Sequence, residues 1–132
     1  MSTHCGIAVK SGNTYKTIYC HHDGYPSYMF PMLRKNYNSE ALANKLVNLG
    51  DASSICERLE PSTNSHSFDN PEKGVSVFYH RDRNEKDCCL EHYTKQQVLN
   101  TYFYAYIFED CEWHCYIDGE PSTAIIINNL II

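Results

Sequence analysis

The sequence predicts an α+β protein. It reads as a mainly antiparallel sheet of two hairpins plus a central strand, with two or three helices packed on one face. Three observations carry this reading. Two pairs of β-rich runs are each joined by a short turn cluster, residues 4–10 with 15–20 and residues 102–108 with 111–117. One segment, residues 40–49, has leucines at helical spacing between the cap-forming Ser39 and Gly50. The elements follow the order ββ, α, β, α, ββ, without an internal repeat. The 132 residues suit a single domain over 1–132, since a chain this long buries roughly two-thirds of its unfolded surface.

The first hairpin turns at Ser11, Gly12, Asn13 and Thr14. Its second strand ends in YCHHDGYP, Tyr19 to Pro26. Gly24 suits a positive φ, and Pro26 cannot continue a ladder. Residues 28–33 can start a short helix with Pro31 in its first turn. Leu42, Leu46 and Leu49 of the next helix are expected in the core. Residues 60–73 are polar and rich in Pro, Ser and Asn, which predicts a long loop. Residues 74–80 read as the central strand, 81–87 as a charged turn and 94–100 as a short helix. The second hairpin turns at Glu109 and Asp110, and Asp118 to Ser122 read as a further turn. The chain ends in an apolar segment, 123–132, that calls for a partner surface, its own sheet or another copy.

A net charge of −5 argues against general nucleic-acid binding, which needs a positive field. It leaves room for a small anion held by a few local arginines. No apolar run approaches the ~18 residues that span a membrane, and the N-terminus lacks the pattern of a secretory signal. The expected location is cytoplasmic. Seven cysteines without such a signal read as reduced thiols. Eleven tyrosines fit half-buried strands first and base-stacking or interface surfaces second.

No nucleophile elbow, phosphate loop or dinucleotide fingerprint occurs. Cys111 and Cys115 have a permissible zinc spacing, but no matching second pair exists, so no metal and no cofactor are expected. Asp23 with His21 or His22 can form an acid–base pair, or Asp23 can bond the amides of its turn. In YHRDR, Tyr79 to Arg83, an extended chain puts Arg81 and Arg83 on one side beside aromatic strands. Arginine forks there suit phosphate or carboxylate. The alternative is a solvated turn whose charges pair with one another.

YCHHDGYP, NLGDASSI, HSFDNP and VFYHRDR, in this order, resemble a family of small proteins of tailed bacteriophages. This chain departs from the family pattern at His22, where an aromatic is usual. More loosely, the D-G-Y-P hairpin is similar to anti-Thoeris sponge proteins. The resemblance implies a protein acting in the cytoplasm of an infected bacterium. It implies capture of a nucleotide-derived immune signal, cyclic ADP-ribose-like or a cyclic oligonucleotide, without catalysis and as a homo-oligomer. The candidate ligand-binding residues are Tyr19, His21, Asp23, Tyr25, Phe68, Asn70, Tyr79, His80, Arg81 and Arg83. The alternative is direct binding of a host defence or CRISPR protein through an acidic, tyrosine-rich surface.

Overall fold

The computed structural model describes residues 3–122. The apolar segment 123–132 lies outside the described residues. The chain is α+β, as expected, but its sheet is larger and mixed. Eight strands run in the order β4-β3-β2-β1-β6-β7-β8, with β5 paired to β2 off this path. They are β1 (Cys5–Ser11), β2 (Thr14–Cys20), β3 (Ala52–Ser54), β4 (Val77–Phe78), β5 (Glu91–Tyr93), β6 (Tyr104–Glu109), β7 (Glu112–Ile117) and β8 (Glu120–Ser122). The helices are α1 (Pro26–Asn36), α2 (Glu40–Asn48), α3 (Tyr79–Arg83) and α4 (Lys95–Thr101).

Both expected hairpins form. They join through a parallel β1–β6 pairing, Gly6↔Ala105 to Val9↔Phe108, which makes the sheet mixed. The expected turn at 118–122 is tighter than read. Asp118 and Gly119, both at positive φ, reverse the chain into β8. The central strand expected at 74–80 is two residues long and lies at the sheet's end. Its extension is cut short because the Asp82 carboxylate accepts the Phe78 N–H (2.8 Å) and starts α3 at Tyr79.

The outer edge of β2 is divided between two partners. Tyr15, Lys16 and Thr17 pair with β5. Cys20 pairs with β3, and the ladder runs on as His21 N–H bonds Ala52 O and His22 N–H bonds Ser53 O. Between the two partners the Tyr19 N–H is taken by the Asp51 carboxylate at 2.9 Å. Asp51 follows Gly50, whose φ of +87° ends α2 and whose missing Cβ lets Cys88 O approach.

Helices lie on both faces, not one. On the first face α1 and α2 cover Ile7, Val9, Ile18, Phe78, Phe108 and Trp113. On the other, Val98 of α4 covers Ala8, Tyr15, Ala105 and Ile107. The alternation of β2 makes this unavoidable, since Tyr15 and Ile18 are both buried yet point to opposite faces. The Ser39 side chain caps α2, accepting from Leu42 N–H. Of its three leucines only Leu46 is fully buried. Leu42 is 42% exposed, because the core-facing stripe is Ala43, Leu46 and Val47. Helix α1 begins earlier than expected, with Pro26 in its first turn. Pro31 therefore stands inside the helix, on its exposed side.

The D-G-Y-P turn fastens the N-terminal strand. Asp23, not Gly24, takes the positive φ (58°). Gly24 is required for close approach: its N–H bonds Thr3 O at 2.8 Å, and a Cβ would meet Cys5 Cβ at 2.7 Å and the His4 carbonyl carbon at 2.8 Å. Its own carbonyl accepts from the buried Tyr106 hydroxyl (2.7 Å). Gly24→Ala is therefore expected to cost about 2–3 kcal/mol in urea denaturation. Gly12→Ala, where φ is +63° but nothing lies within 4 Å, should cost only about 1 kcal/mol.

Candidate functional site

The second face of the sheet is aromatic. Alternation along β2 sends Tyr15, Thr17 and Tyr19 toward it, and His21 continues the series. The Tyr102 ring lies against the bare Cα of Gly6, which is the register partner of Tyr19. Helix α4 covers the Tyr15 end, while the Tyr19 end carries the functional groups.

There Tyr19 stands between two imidazoles. Its Oη lies 2.8 Å from His4 Nδ1 and 2.6 Å from His21 Nδ1. His4 Nδ1 is also 3.0 Å from His21 O, and the two rings are 4.6 Å apart. Burial raises the Tyr19 pKa, and the neighbouring Tyr79 phenol adds to this. Burial lowers that of His21, reinforced by His22 and then His4. His21 is therefore neutral at pH 7. Its Nδ1 is bonded to Tyr19, not to Asp23, so the acid–base pair read from the sequence does not form through that nitrogen.

The two candidate segments approach each other through Tyr19 and Tyr79. The register Cys20↔Ala52↔Phe78 carries β2 to β4 through β3 and sets Tyr79, which follows Phe78, near Tyr19. Tyr79 stacks at 5.5 Å on Phe68 from the long loop. The Arg83 guanidinium sits over both rings, 4.1 Å from the Phe68 centroid and 5.1 Å from that of Tyr79. It pairs with Glu85 at 2.5 Å, and its side chain is 48% exposed.

Arg81 does not join Arg83. Residues 79–83 are helical rather than extended, so the two side chains diverge. Arg81 donates to Leu59 O, to Ser76 O (2.7 Å) and through Nε to Asp82 Oδ1 (2.9 Å). Asp82 is 5% exposed, with His66 Nε2 at 3.2 Å. Burial alone would raise its pKa, but Arg81, the Phe78 amide and His66 outweigh burial and hold it low. Arg81 is thus a structural clamp between the loop and α3.

The remaining candidates scatter. His80 Nδ1 faces Glu85 O (3.1 Å), and the Asn70 backbone closes a turn on Ser67. Tyr25 caps the start of α1 and lies 6.2 Å from Tyr28. Asp23 shapes its turn through its backbone. Sequence reasoning left His4 out of the ligand-binding candidates. Its signal was indirect, the Gly24 that ties Thr3 down. It also missed Glu72, which orders the loop by accepting from the amides and hydroxyls of Ser62 and Thr63 and pairing with Arg58 at 3.0 Å.

Three surface clefts of about 270–380 Å³ lie away from these residues, against Lys10 and Glu109, Arg34 and Trp113, and Leu42 and Arg58. Among the described residues no three His, Cys, Asp or Glu side chains are placed to share a metal ion, and no helix is long and apolar enough to cross a membrane. Cys111 is exposed at its turn while Cys115 is buried. No family model, curated protein or solved structure matches the chain.

Two outcomes follow from the clamps. Arg81→Ala strands a buried carboxylate and two carbonyls, and should destabilise by about 2–4 kcal/mol in urea denaturation, whereas Arg83→Ala should change stability by less than about 1 kcal/mol. Hydrogen bonds from Ser62 and then Thr63 pull the Glu72 pKa down to about 2 from an ordinary 4.5. A lowered folded-state pKa stabilises above the unfolded value and is lost as pH falls toward the folded one. Protection against hydrogen exchange in residues 60–73, measured relative to the intrinsic rate at each pH, should accordingly fall between pH 4.5 and 2, and Glu72→Gln should remove that fall.

Proposed function

We propose that this protein binds a nucleotide-derived small molecule and holds it unaltered, and that it serves a phage against host immunity that signals with such molecules. The observation that carries the reading is the placement of Arg83 over the Phe68 and Tyr79 rings, with Tyr79 near enough to Tyr19 to act on its pKa. A phosphate needs a cation with donors to spare. Arg83 pairs with Glu85 and feels Asp69 nearby, but donates to no backbone carbonyl among the described residues, while Arg81 is committed to backbone carbonyls and Asp82. A base needs flat faces, and Tyr79, Phe68 and Tyr19 supply them, at roughly 1–3 kcal/mol per stacked base. Assembly into a homo-oligomer in the host cytoplasm belongs to the same reading.

A second reading is direct docking on a host defence or CRISPR protein. It is favoured by Phe103, 56% exposed and set edge-on against Tyr104 at the end of α4.

A thermal-shift screen with linear and cyclic nucleotides separates the two. A ligand at about 100 times its Kd should stabilise by about 2.7 kcal/mol, on the order of 10 °C in Tm, and mass spectrometry should recover it intact. Arg83→Ala should lose the shift and keep the fold. A flat response to every nucleotide would overturn this reading in favour of docking. A shifted Tm with an altered ligand would make the protein an enzyme.

A further inference from the structure

The hydrogen-bond pattern around Tyr19 fixes which nitrogen of each histidine carries its proton. A carbonyl oxygen only accepts, so His4 Nδ1, 3.0 Å from His21 O, bears a hydrogen. That nitrogen then has no lone pair for Tyr19, and the Tyr19 hydroxyl accepts from it across 2.8 Å. The Tyr19 hydrogen is left for His21 Nδ1 at 2.6 Å, which must be unprotonated. The reverse assignment sets the lone pair of His4 Nδ1 against that of His21 O. With both rings neutral, His21 carries its hydrogen on Nε2, and His4 has a bare lone pair on Nε2. Two rings 4.6 Å apart and tilted by only 32° therefore offer opposite polarity, one donor and one acceptor.

This pairing matches the edges of adenine and of cytosine and opposes those of the 6-oxo purines. Adenine sets a ring-nitrogen acceptor beside an amino donor. Guanine and hypoxanthine carry a carbonyl oxygen where adenine carries that amino group. Resting on the proposed nucleotide site, we propose that His4 and His21 read the ligand's base as an opposed pair, His21 Nε2–H donating to a ring nitrogen and His4 Nε2 accepting from the amino group, so that the site selects adenine over hypoxanthine and guanine. A 6-oxo base would turn its oxygen lone pairs toward that of His4. Burial supports the assignment, since it favours the neutral form of His21. The pinning of Thr3 by Gly24 supports it too, because the acceptor is useful only if His4 stays in place.

The test uses the intact chain and needs no variant to begin. Long-range proton–nitrogen NMR at pH 7.5 should show His4 protonated on Nδ1 and His21 on Nε2. The same tautomer on both rings would overturn the proposal. Calorimetric titration with AMP, IMP and GMP should then give AMP the tightest binding, by about tenfold or more, within the range of one good bidentate pair. His4→Phe keeps a flat ring but loses the acceptor, and should bring AMP and IMP within about threefold of each other while AMP still binds. Equal affinity of the unaltered protein for AMP and IMP would sink adenine selection and leave the nucleotide site standing. Failure of every nucleotide to bind, in this titration and in the thermal screen, would remove both. A His4→Phe protein that keeps the full preference would show that the base is read elsewhere.

Discussion

The divided outer edge of β2 is the constraint from which the site follows. A single long neighbour along this edge would have covered Tyr19 and left no room for a second element. Instead β5 stops at Thr17 and β3 begins at Cys20, and the amide in the gap is satisfied by a side chain, that of Asp51. A half-buried carboxylate is costly, and its burial does raise the Asp51 pKa, with the Tyr19 amide opposing the rise. An unpaired strand amide at that depth would also cost a lost hydrogen bond. The G-D pair after α2 performs two tasks at once: Gly50 lets the chain turn against Cys88, and Asp51 bridges the break.

That break lets a two-stranded extension, β3 and β4, join the sheet beyond Cys20. Their first-face residues, Ala52 and Phe78, complete the core, so Tyr79 must follow on the opposite side from Phe78 or leave the sheet. It does the latter by starting a helix, and Arg83, one turn on, returns over the Tyr79 ring. The cost of ending a strand there is met by Asp82, which takes the Phe78 amide, orients Arg81 and receives His66 from the loop. The arginine that looked like half of a phosphate fork in the sequence instead ties the start of α3 to the loop, and α3 carries the other arginine.

What could be read in the sequence was local. The first hairpin, the capped helix α2 and the turn at Asp23 to Pro26 depend on residues a few positions apart, whose turn and cap chemistry is strong. Most of the missing pieces involve pairing over long distances. Strands β3 and β5 are three residues each, too short for an alternating pattern to register. The helix at 79–83 overrides an aromatic, β-prone start, because one aspartate competes for a backbone amide in a way that propensity does not reveal. Of the ten candidate residues, Phe68, Tyr79 and Arg83 form one group and Tyr19 and His21 another, and the register of three strands sets Tyr79 near Tyr19. His4 was left out because nothing in its neighbourhood marks it, and its partners lie 15 and 17 residues away.

The motif YCHHDGYP is therefore both a hairpin exit and part of a site, for one physical reason. Tyr19 and His21 are two residues apart on one face of the chain and bond each other directly, so a third ring must be brought in from outside the strand. The turn that follows brings it. Once Asp23 accepts a left-handed backbone, Gly24 can lie flat against Cys5, hold Thr3 and place His4 within reach of Tyr19. A larger residue at position 24 would displace the very segment that carries the third ring. Sequence proximity supplies two members of the cluster, and the bare Cα of one glycine supplies the third. The polarity of the three-ring array is then set by a carbonyl, that of His21, whose own amide is locked into the β3 ladder.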